Sequence, residues 1–196
     1  MIQKFSFEPL PLEGAYKITP FFASDERGGL IKDYNLETFR ANGIEHELKE
    51  TFYTLSHRGV IRAIHFQLGV QQPKLVRCIS GHVYDAIVDL RPESPTFKQW
   101  LGFDLTGENR VSLLVPPFFG HGYLVLEESI VSYKCAEGFY GPGDSGIMWN
   151  DPDIGIQWPL EQIGGAECLI ISQKDQQLMR FQEYCEALKN NTPDES

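Results

Sequence analysis

The sequence predicts an all-β fold of the sandwich or barrel type. Many short segments are rich in Val, Ile, Leu, Tyr and Phe, and Gly, Pro, Asn or Ser residues separate several of them. Short strands at even spacing between such turns are typical of β-sandwiches and barrels. Helical patterns are few. With 196 residues, the chain is expected to form one domain whose core needs no disulfide or metal to hold it together.

Each predicted strand combines β-branched or aromatic residues with a flanking turn signal. In chain order they cover residues 15–19, 50–55, 60–66, 74–80, 82–90, 97–105, 111–116, 122–127, 129–135 and 168–172. Residues 141–159 carry several large apolar side chains among Gly, Asp and Pro, so this long loop should pack on something. A functional loop and a cover over one end of a sheet are equally compatible with its composition.

Two segments have helical signals. Residues 35–43 begin with a capping Asn35 and end at Gly43, which predicts a short helix. Residues 174–191 place apolar side chains at roughly helical spacing. The sequence therefore predicts a domain over residues 1–175, followed by a C-terminal helix and a disordered tail over 176–196, with disorder in the last residues, 191–196.

Composition excludes several classes of function. The formal net charge is −10, which makes binding to nucleic acid phosphates improbable. No apolar run approaches the roughly 20 residues of a membrane span, and the first residues do not resemble a signal peptide. The four scattered cysteines predict buried free thiols in a reducing compartment, so a cytoplasmic location without membrane contact is expected.

The histidines do not form a metal-binding pattern. The chain has five of them, and no two stand within two residues of each other. An HExxH motif is also absent. Even if His65 and His121 met in space, two histidines without a third ligand would make a weak zinc site. The sequence therefore predicts no metal.

An acid–base site is the main chemical candidate. His65 lies on a predicted strand, where a hydrogen-bonded core histidine is the common alternative to a proton-transfer residue. Alternation places Asp85 on an apolar face, and a buried carboxylate needs a cationic partner. Lys74, on what is predicted to be the preceding strand, is the expected partner. A polar cluster inside the sheet would then form a small-molecule site.

Three further features complete the candidate site. Arg62 and His65 are separated by an odd number of residues, so a regular strand would place them on opposite faces. If both serve one site, a bulge or a strand end must lie between them. His121 stands between two glycines just before a predicted strand. Tyr133 and Tyr140 are either structural tyrosines or proton donors.

These motifs together resemble the dTDP-4-dehydrorhamnose 3,5-epimerases, a family of small cupin (jelly-roll) proteins. The similar segments run in family order across most of the chain, and they are "DERGG" (25–29), "IRAIHFQ" (61–67), residues 73–100, "PPFFGHGYLVL" (116–126), "YKCAEGFY" (133–140), "WNDPDIGIQWP" (149–159) and "ISQKD" (171–175). The resemblance implies epimerisation next to the ketone of a nucleotide-linked 4-keto-6-deoxysugar, without a cofactor.

The resemblance also implies roles for individual residues. His65 resembles the base, Asp175 the carboxylate that orients it, Lys74 the group that polarises the ketone, and Tyr133 the acid. Substrate-binding positions are implied for Arg27 and Arg62, which resemble pyrophosphate ligands, and for His121 and Tyr140. Asp85, which strand alternation places inside the sheet, is also predicted to bind substrate. The family further implies a homodimer that exchanges N-terminal strands.

Some recognition segments differ from the family pattern. "DERGGLIKD" stands where relatives usually have "DERGFFFE", and "KETFY" (49–53) stands where they have "QDNHS". The residues matching the catalytic motifs are unchanged. This contrast leaves three interpretations open besides the double epimerase: inversion at C3 alone or C5 alone, a CDP-, GDP- or UDP-linked ketosugar as substrate, and a non-catalytic sugar-nucleotide-binding cupin.

Overall fold

The structure is a computed structural model that describes residues 4–191. Its strands are β1 (Ser6–Pro9), β2 (Tyr16–Thr19), β3 (Phe21–Asp25), β4 (Gly28–Lys32), β5 (Glu50–Ser56), β6 (Ile61–Gln67), β7 (Lys74–Asp89), β8 (Trp100–Thr106), β9 (Ser112–Val115), β10 (Phe119–Cys135) and β11 (Asp144–Gly146). The α-helices are α1 (Leu36–Arg40) and α2 (Phe181–Asn191). Within the described residues, no helix is long and apolar enough to cross a membrane.

The two long strands, β7 and β10, organise the fold. They pair antiparallel along most of their lengths, with register shifts between Val125 and Val131. Their halves have different outer neighbours, so two sheets result. One has the order β1–β2–β9–β7–β10–β5, and the other has the order β8–β7–β10–β6–β11. The all-β sandwich predicted from the sequence is confirmed.

The bend in β7 corrects one prediction. Residues 74–80 and 82–90, like 122–127 and 129–135, were predicted as separate strands, but each pair is one continuous strand. Gly81 has a φ of +81°, and a Cβ there would lie 2.1 Å from the Glu128 carbonyl oxygen. This glycine therefore marks the point where β7 passes from one sheet to the other, not a chain reversal.

The bend also changes which residues face the interior. Val76 and Cys78 point into the central core before it, and Val83 and Ile87 do so after it. The inward positions thus switch from even to odd numbers within one strand. Asp85 shares the inward parity of Val83 and Ile87, so it lies inside the barrel and is completely buried.

Two layers cover the outer faces of the sheets. Phe5, Phe39 and Ile44 pack against the sheet that contains β9. The segment after β11, including Trp158 and Phe181, packs against the sheet that contains β6. Part of the loop 141–159 therefore serves as a cover, which is one of the two interpretations left open.

The helices agree in part with their predictions. The Asn35 side chain caps α1 by accepting a hydrogen bond from the Thr38 backbone N–H, as expected. The C-terminal helix starts at Phe181 instead of residue 174, because Asp175–Gln177 forms a separate 3₁₀ turn. Residues 192–196, part of the predicted disordered tail, lie outside the described residues. The domain boundary after residue 175 remains a prediction.

Two other sequence expectations were wrong. Residues 168–172 do not form a strand, and Ile170 makes only an isolated bridge to Val60. Their apolar side chains pack on the sheet without joining it, which local composition could not distinguish. Cys168 is exposed, whereas Cys78 and Cys135 are buried as predicted; all four cysteines are free thiols.

Candidate active site

An irregularity in β6 places both of its basic side chains beside the same cavity. His65 pairs with His121 of β10, whereas Arg62 pairs with Tyr123, so three residue steps on β6 match two on β10. This register shift is the bulge that the odd spacing of Arg62 and His65 required. The Ala63–Ile64 peptide bond within it is cis. The predicted bulge is confirmed.

The His65 imidazole is paired with a buried carboxylate. Its Nε2 donates to Asp175 Oδ2 at 3.1 Å, although the two residues are 110 positions apart. The Asp175 backbone N–H donates to Ser172 Oγ at 3.0 Å, which fixes the turn that carries the carboxylate. With Nε2 donating, Nδ1 is the ring nitrogen with a free lone pair.

The surroundings of Asp175 keep it ionised. Burial by itself raises the pKa of this carboxyl, but hydrogen bonds from His65, from the Ser172 hydroxyl and from the Ala63 backbone N–H outweigh it, so the pKa is lowered. A carboxylate beside His65 fixes the orientation of the ring and stabilises it when it becomes protonated.

A cavity of about 420 Å³ opens beside this pair. It is lined by Val60, Ile61, Arg62, His65, Ile170, Ile171, Ser172, Lys174 and Asp175. Two cations, Arg62 and Lys174, therefore border a hollow of mixed polar and apolar lining that contains the His65 ring. Lys174 was not among the predicted site residues, although it directly precedes Asp175 in "ISQKD".

Asp85 has a different partner from the one predicted. Its Oδ2 is hydrogen-bonded at 2.9 Å to Nε2 of His121, and both side chains are buried. Lys74 lies on the same strand as Asp85, and its charge lowers the pKa of that carboxyl less than His121 does. The assignment of Lys74 as the direct partner was wrong, because β7 continues through Gly81 and β10 places His121 opposite.

Lys74 is nevertheless part of the interior cluster. Burial lowers the pKa of its ammonium, and the charges of Asp144 and Asp85 act in the opposite direction. Asp85 Oδ1 has no hydrogen-bond partner, so the cluster retains an unused acceptor. Such an underpaired carboxylate is typical of sites that act on a ligand.

Tyr133 faces the same interior from the other sheet. It is 7% exposed, its ring stacks on Phe52 at 4.6 Å between centroids, and its edge-on contact with the His121 ring spans 5.8 Å. Burial, together with Tyr123 and Asp85, raises its pKa well above the ordinary value, so the phenol stays protonated at neutral pH.

Tyr123 was not among the predicted site residues. It lies two residues after His121 on β10, so its side chain points to the same side of the strand, and its hydroxyl is 2.8 Å from Thr54 Oγ1.

Two predicted site residues lie apart from this cluster. Arg27 is at the tip of the β3–β4 hairpin, where it forms an exposed ion pair with Asp25 at 2.6 Å and borders a separate cavity. Tyr140 lies at the barrel rim and is 41% exposed, and its backbone N–H donates to Gln67 Oε1 at 2.9 Å. A single chain thus gathers His65, Asp175, Lys74, Asp85, His121, Tyr133 and Arg62, but not Arg27.

The cluster has the parts for moving a proton between carbon and a side chain. It holds a histidine oriented by a carboxylate, a protonated phenol in the facing sheet and a lysine that can stabilise negative charge on oxygen. Within residues 4–191, no group of three or more His, Cys, Asp or Glu side chains is placed to hold a metal ion.

Known proteins are similar to this chain in sequence and in fold. The family model described as dTDP-4-dehydrorhamnose 3,5-epimerase matches residues 9–183. The dTDP-4-dehydrorhamnose 3,5-epimerase of Methanothermobacter thermautotrophicus is 45% identical over 173 residues, which cover 88% of this chain and 92% of that protein.

Among the solved structures that are similar to this chain, some contain a bound dTDP-linked sugar. The dTDP-6-deoxy-D-glucose-3,5-epimerase of Legionella pneumophila in complex with dTDP-4-keto-L-rhamnose has a TM-score of 0.85, with 31% identity over 90% of this chain and 93% of that one. A 3'-monoepimerase of Streptomyces bikiniensis in complex with dTDP-quinovose has a TM-score of 0.79, with 27% identity over 93% and 98%. The cupin-like β-sandwich predicted from the sequence is therefore confirmed.

Proposed function

The chain belongs to the dTDP-4-dehydrorhamnose 3,5-epimerase family, and from that membership we propose that it epimerises a dTDP-linked 4-keto-6-deoxyhexose at the carbons flanking the ketone. The reaction needs a base for the acidic C–H, a cation for the enolate oxygen and an acid that returns a proton to the opposite face. Each of these groups is present in the chain, as His65, Lys74 and Tyr133.

His65 is the proposed base. Its Nδ1 takes the proton from the carbon next to the ketone, and the imidazolium that forms is stabilised by the Asp175 carboxylate, which bonds the other nitrogen at 3.1 Å. Because the pKa of Asp175 is lowered, this carboxylate remains charged throughout the step.

Lys74 and Tyr133 complete the proposed reaction. The Lys74 ammonium stabilises the enolate oxygen on C4, and the phenol of Tyr133 donates a proton to the face opposite His65. Two observations support these roles: His65 and Tyr133 come from facing sheets, and the raised pKa of Tyr133 keeps it protonated. Asp85 and His121 are proposed to hold Lys74 and the sugar in place.

The diphosphate is proposed to bind at Arg62 and Lys174. Both border the cavity that contains His65, and a guanidinium beside an ammonium suits two adjacent phosphate groups. Tyr140, at the rim, is proposed to contact the sugar or the nucleoside. Such remote contacts would supply binding energy that orients the ring over His65.

We rest this proposal on the His65–Asp175 pair, which is hydrogen-bonded at 3.1 Å and borders a cavity of about 420 Å³. The test is incubation with the dTDP-linked 4-ketosugar in D₂O, followed by NMR. Deuterium is expected at C3 and C5, together with inversion of configuration. Unlabelled substrate after prolonged incubation with folded protein would contradict the proposal.

A single-centre epimerase is the second candidate, because the Streptomyces bikiniensis structure with the same fold is a 3'-monoepimerase. Deuterium confined to C3 would favour it over the double epimerase. The same assay with CDP-, GDP- and UDP-linked ketosugars tests whether the altered "DERGGLIKD" and "KETFY" segments change which nucleotide is bound. A purely binding cupin would be stabilised by dTDP without any exchange.

We further propose a cytoplasmic homodimer. The β3–β4 hairpin exposes three apolar side chains, Phe22, Leu30 and Ile31, and it holds Arg27 away from the His65 cavity of its own chain. A second copy could cover these side chains and receive Arg27. Light scattering should give twice the mass of the chain, and a monomer would contradict this part of the proposal. The free cysteines support a reducing compartment.

A further inference from the structure

One face of β5 contacts two side chains of the proposed site. Phe52 and Ser56 lie four residues apart on this strand, so their side chains point to the same side of it. The Phe52 ring stacks on the Tyr133 ring, and Ser56 Oγ accepts a hydrogen bond from Arg62 Nε at 3.2 Å. Neither Phe52 nor Ser56 has a step in the reaction proposed above. This face of β5 therefore supports residues that the reaction uses.

Strand register brings Phe52 against Tyr133. The two residues are directly opposite each other on β5 and β10. Their ring planes differ by 10°, and the ring centroids are 4.6 Å apart. The His121 ring contacts Tyr133 edge-on, with an interplanar angle of 77°. The phenol of Tyr133 is therefore restrained by two rings, one parallel to it and one at its edge.

The position of Phe52 differs from that of an ordinary core residue. Phe52 is 37% exposed, whereas Tyr133 is buried. Among the strands that the structure describes, β5 is hydrogen-bonded to β10 alone. Phe52 also belongs to "KETFY" (49–53), the segment that differs from the family pattern. Its ring is thus only partly used for burial, and its defined contact is the stack on Tyr133.

We propose that Phe52 is a positioning residue for Tyr133, whose phenol it holds in the orientation that returns a proton to the face of the sugar opposite His65. This inference rests on the proposed epimerase function and adds a residue to it. A reacting group displaced by about 1 Å can lose about 10²-fold in rate. His65 is oriented separately, by its hydrogen bond to Asp175.

The proposal predicts that labelling and inversion respond differently in D₂O. The His65 side chain is 26% exposed, so its imidazolium can exchange the proton it has taken for a deuteron. If His65 returns that deuteron, the carbon is labelled and keeps its configuration. If Tyr133 delivers a deuteron instead, the carbon is labelled and inverted, after which His65 releases its proton to solvent and the phenolate takes up a deuteron. Loss of the stack should therefore favour label without inversion.

The experiment follows early turnover of the dTDP-linked 4-ketosugar in D₂O by NMR and measures the ratio of labelled, uninverted sugar to inverted sugar. We expect Phe52→Ala to raise this ratio about tenfold, because the phenol is less well placed while proton removal continues. Phe52→Leu, which keeps an apolar side chain without a flat ring, should raise it as well. Phe52→Tyr keeps the ring and should restore the wild-type ratio.

Leu55→Ala is the matched control, since Leu55 lies on the opposite face of β5 and is 74% exposed. Its ratio should equal that of the wild type. A second control combines Phe52→Ala with Tyr133→Phe, which has no phenol to position. The ratio of the double variant should equal that of Tyr133→Phe alone, because Phe52 acts through Tyr133.

An unchanged ratio in both Phe52→Ala and Phe52→Leu, with labelling and inversion falling together, would show a merely structural role and overturn the inference. A further rise in the ratio when Phe52→Ala is added to Tyr133→Phe would also overturn it. If the wild type itself shows neither labelling nor inversion, the proposed function has failed instead, so the two failures are distinguishable.

Discussion

Asp85 and Asp89 lie on the same face of β7, and the side chains of both are fully buried. Asp89, at the end of the strand, accepts hydrogen bonds from the Arg91 guanidinium, the Arg91 backbone N–H, Ser94 and Thr96. Although burial opposes ionisation, these donors together lower its pKa to about 2. This carboxylate is completely satisfied, and it holds the β7–β8 connection.

Asp85, four residues earlier, has one hydrogen bond to His121 and an unpartnered Oδ1. Burial raises its pKa, and the charges of His121 and Lys74 offset this only in part. The difference indicates that the two carboxylates, Asp85 and Asp89, have different roles. Asp89, at the end of β7, stabilises the fold, whereas Asp85, in the barrel interior, keeps an oxygen without a hydrogen-bond partner that a ligand can use.

The largest expected effect tests the barrel interior. His65→Asn should lower kcat about 10³-fold, because general base catalysis contributes roughly 10²- to 10⁴-fold, while leaving the urea midpoint nearly unchanged. Steady-state kinetics and urea denaturation measure the two quantities. His82→Asn is the control, since His82 forms a comparable pair with Asp104 on the surface. If His65→Asn still catalysed deuterium exchange, the assignment of His65 as the base would be wrong.

The next effect tests the end of β7. Asp89→Asn leaves the Arg91 guanidinium without its charged partner, so we expect a loss of about 2–3 kcal/mol in the free energy of unfolding. Turnover well below the melting temperature should remain within a few-fold of the wild type. Asp104→Asn, an exposed carboxylate, should change stability by less than about 0.5 kcal/mol. If Asp89→Asn were as stable as the wild type, Asp89 would not have the structural role that distinguishes it from Asp85.

Acid should reduce the contribution of Asp89 to the free energy of unfolding. Its folded pKa is about 2 against an ordinary value of 3.8, so the stabilisation is complete above pH 3.8 and is lost as the pH falls from 3.8 towards 2. The stability difference between wild type and Asp89→Asn should therefore be about 1 kcal/mol smaller at pH 3 than at pH 6. Urea denaturation at the two pH values measures it, and a difference independent of pH would refute this assignment.

A smaller effect on stability than at Asp89 is expected at Asp85. Since burial already disfavours its ionised form, Asp85→Asn should change the free energy of unfolding by less than about 1 kcal/mol. Its kcat should nevertheless fall about tenfold, because Lys74 and His121 lose a counter-charge. A loss of stability as large as that of Asp89→Asn, with kcat retained, would show that the two carboxylates have the same structural role.

Sequence by itself determined the all-β class, the short helix capped by Asn35 and the residue types of the site. Strand composition and turn residues are local properties, so they can be recognised without the fold. The odd spacing of Arg62 and His65 even predicted an irregular strand, since a period of two cannot bring both to one face. The family resemblance added the order of the segments and so connected His65 with Asp175, 110 residues later.

Only the tertiary structure decided which charged groups meet. Local sequence indicated a turn at Gly81, but the strand continues through it, so Lys74 and Asp85 share β7 and His121 becomes the partner of Asp85. Asp144 reaches Lys174 because β11 and the Asp175 turn pack beside β6. Contacts between distant segments depend on strand register and on where a sheet bends. Both are set by packing of the whole core, which no short stretch of sequence encodes.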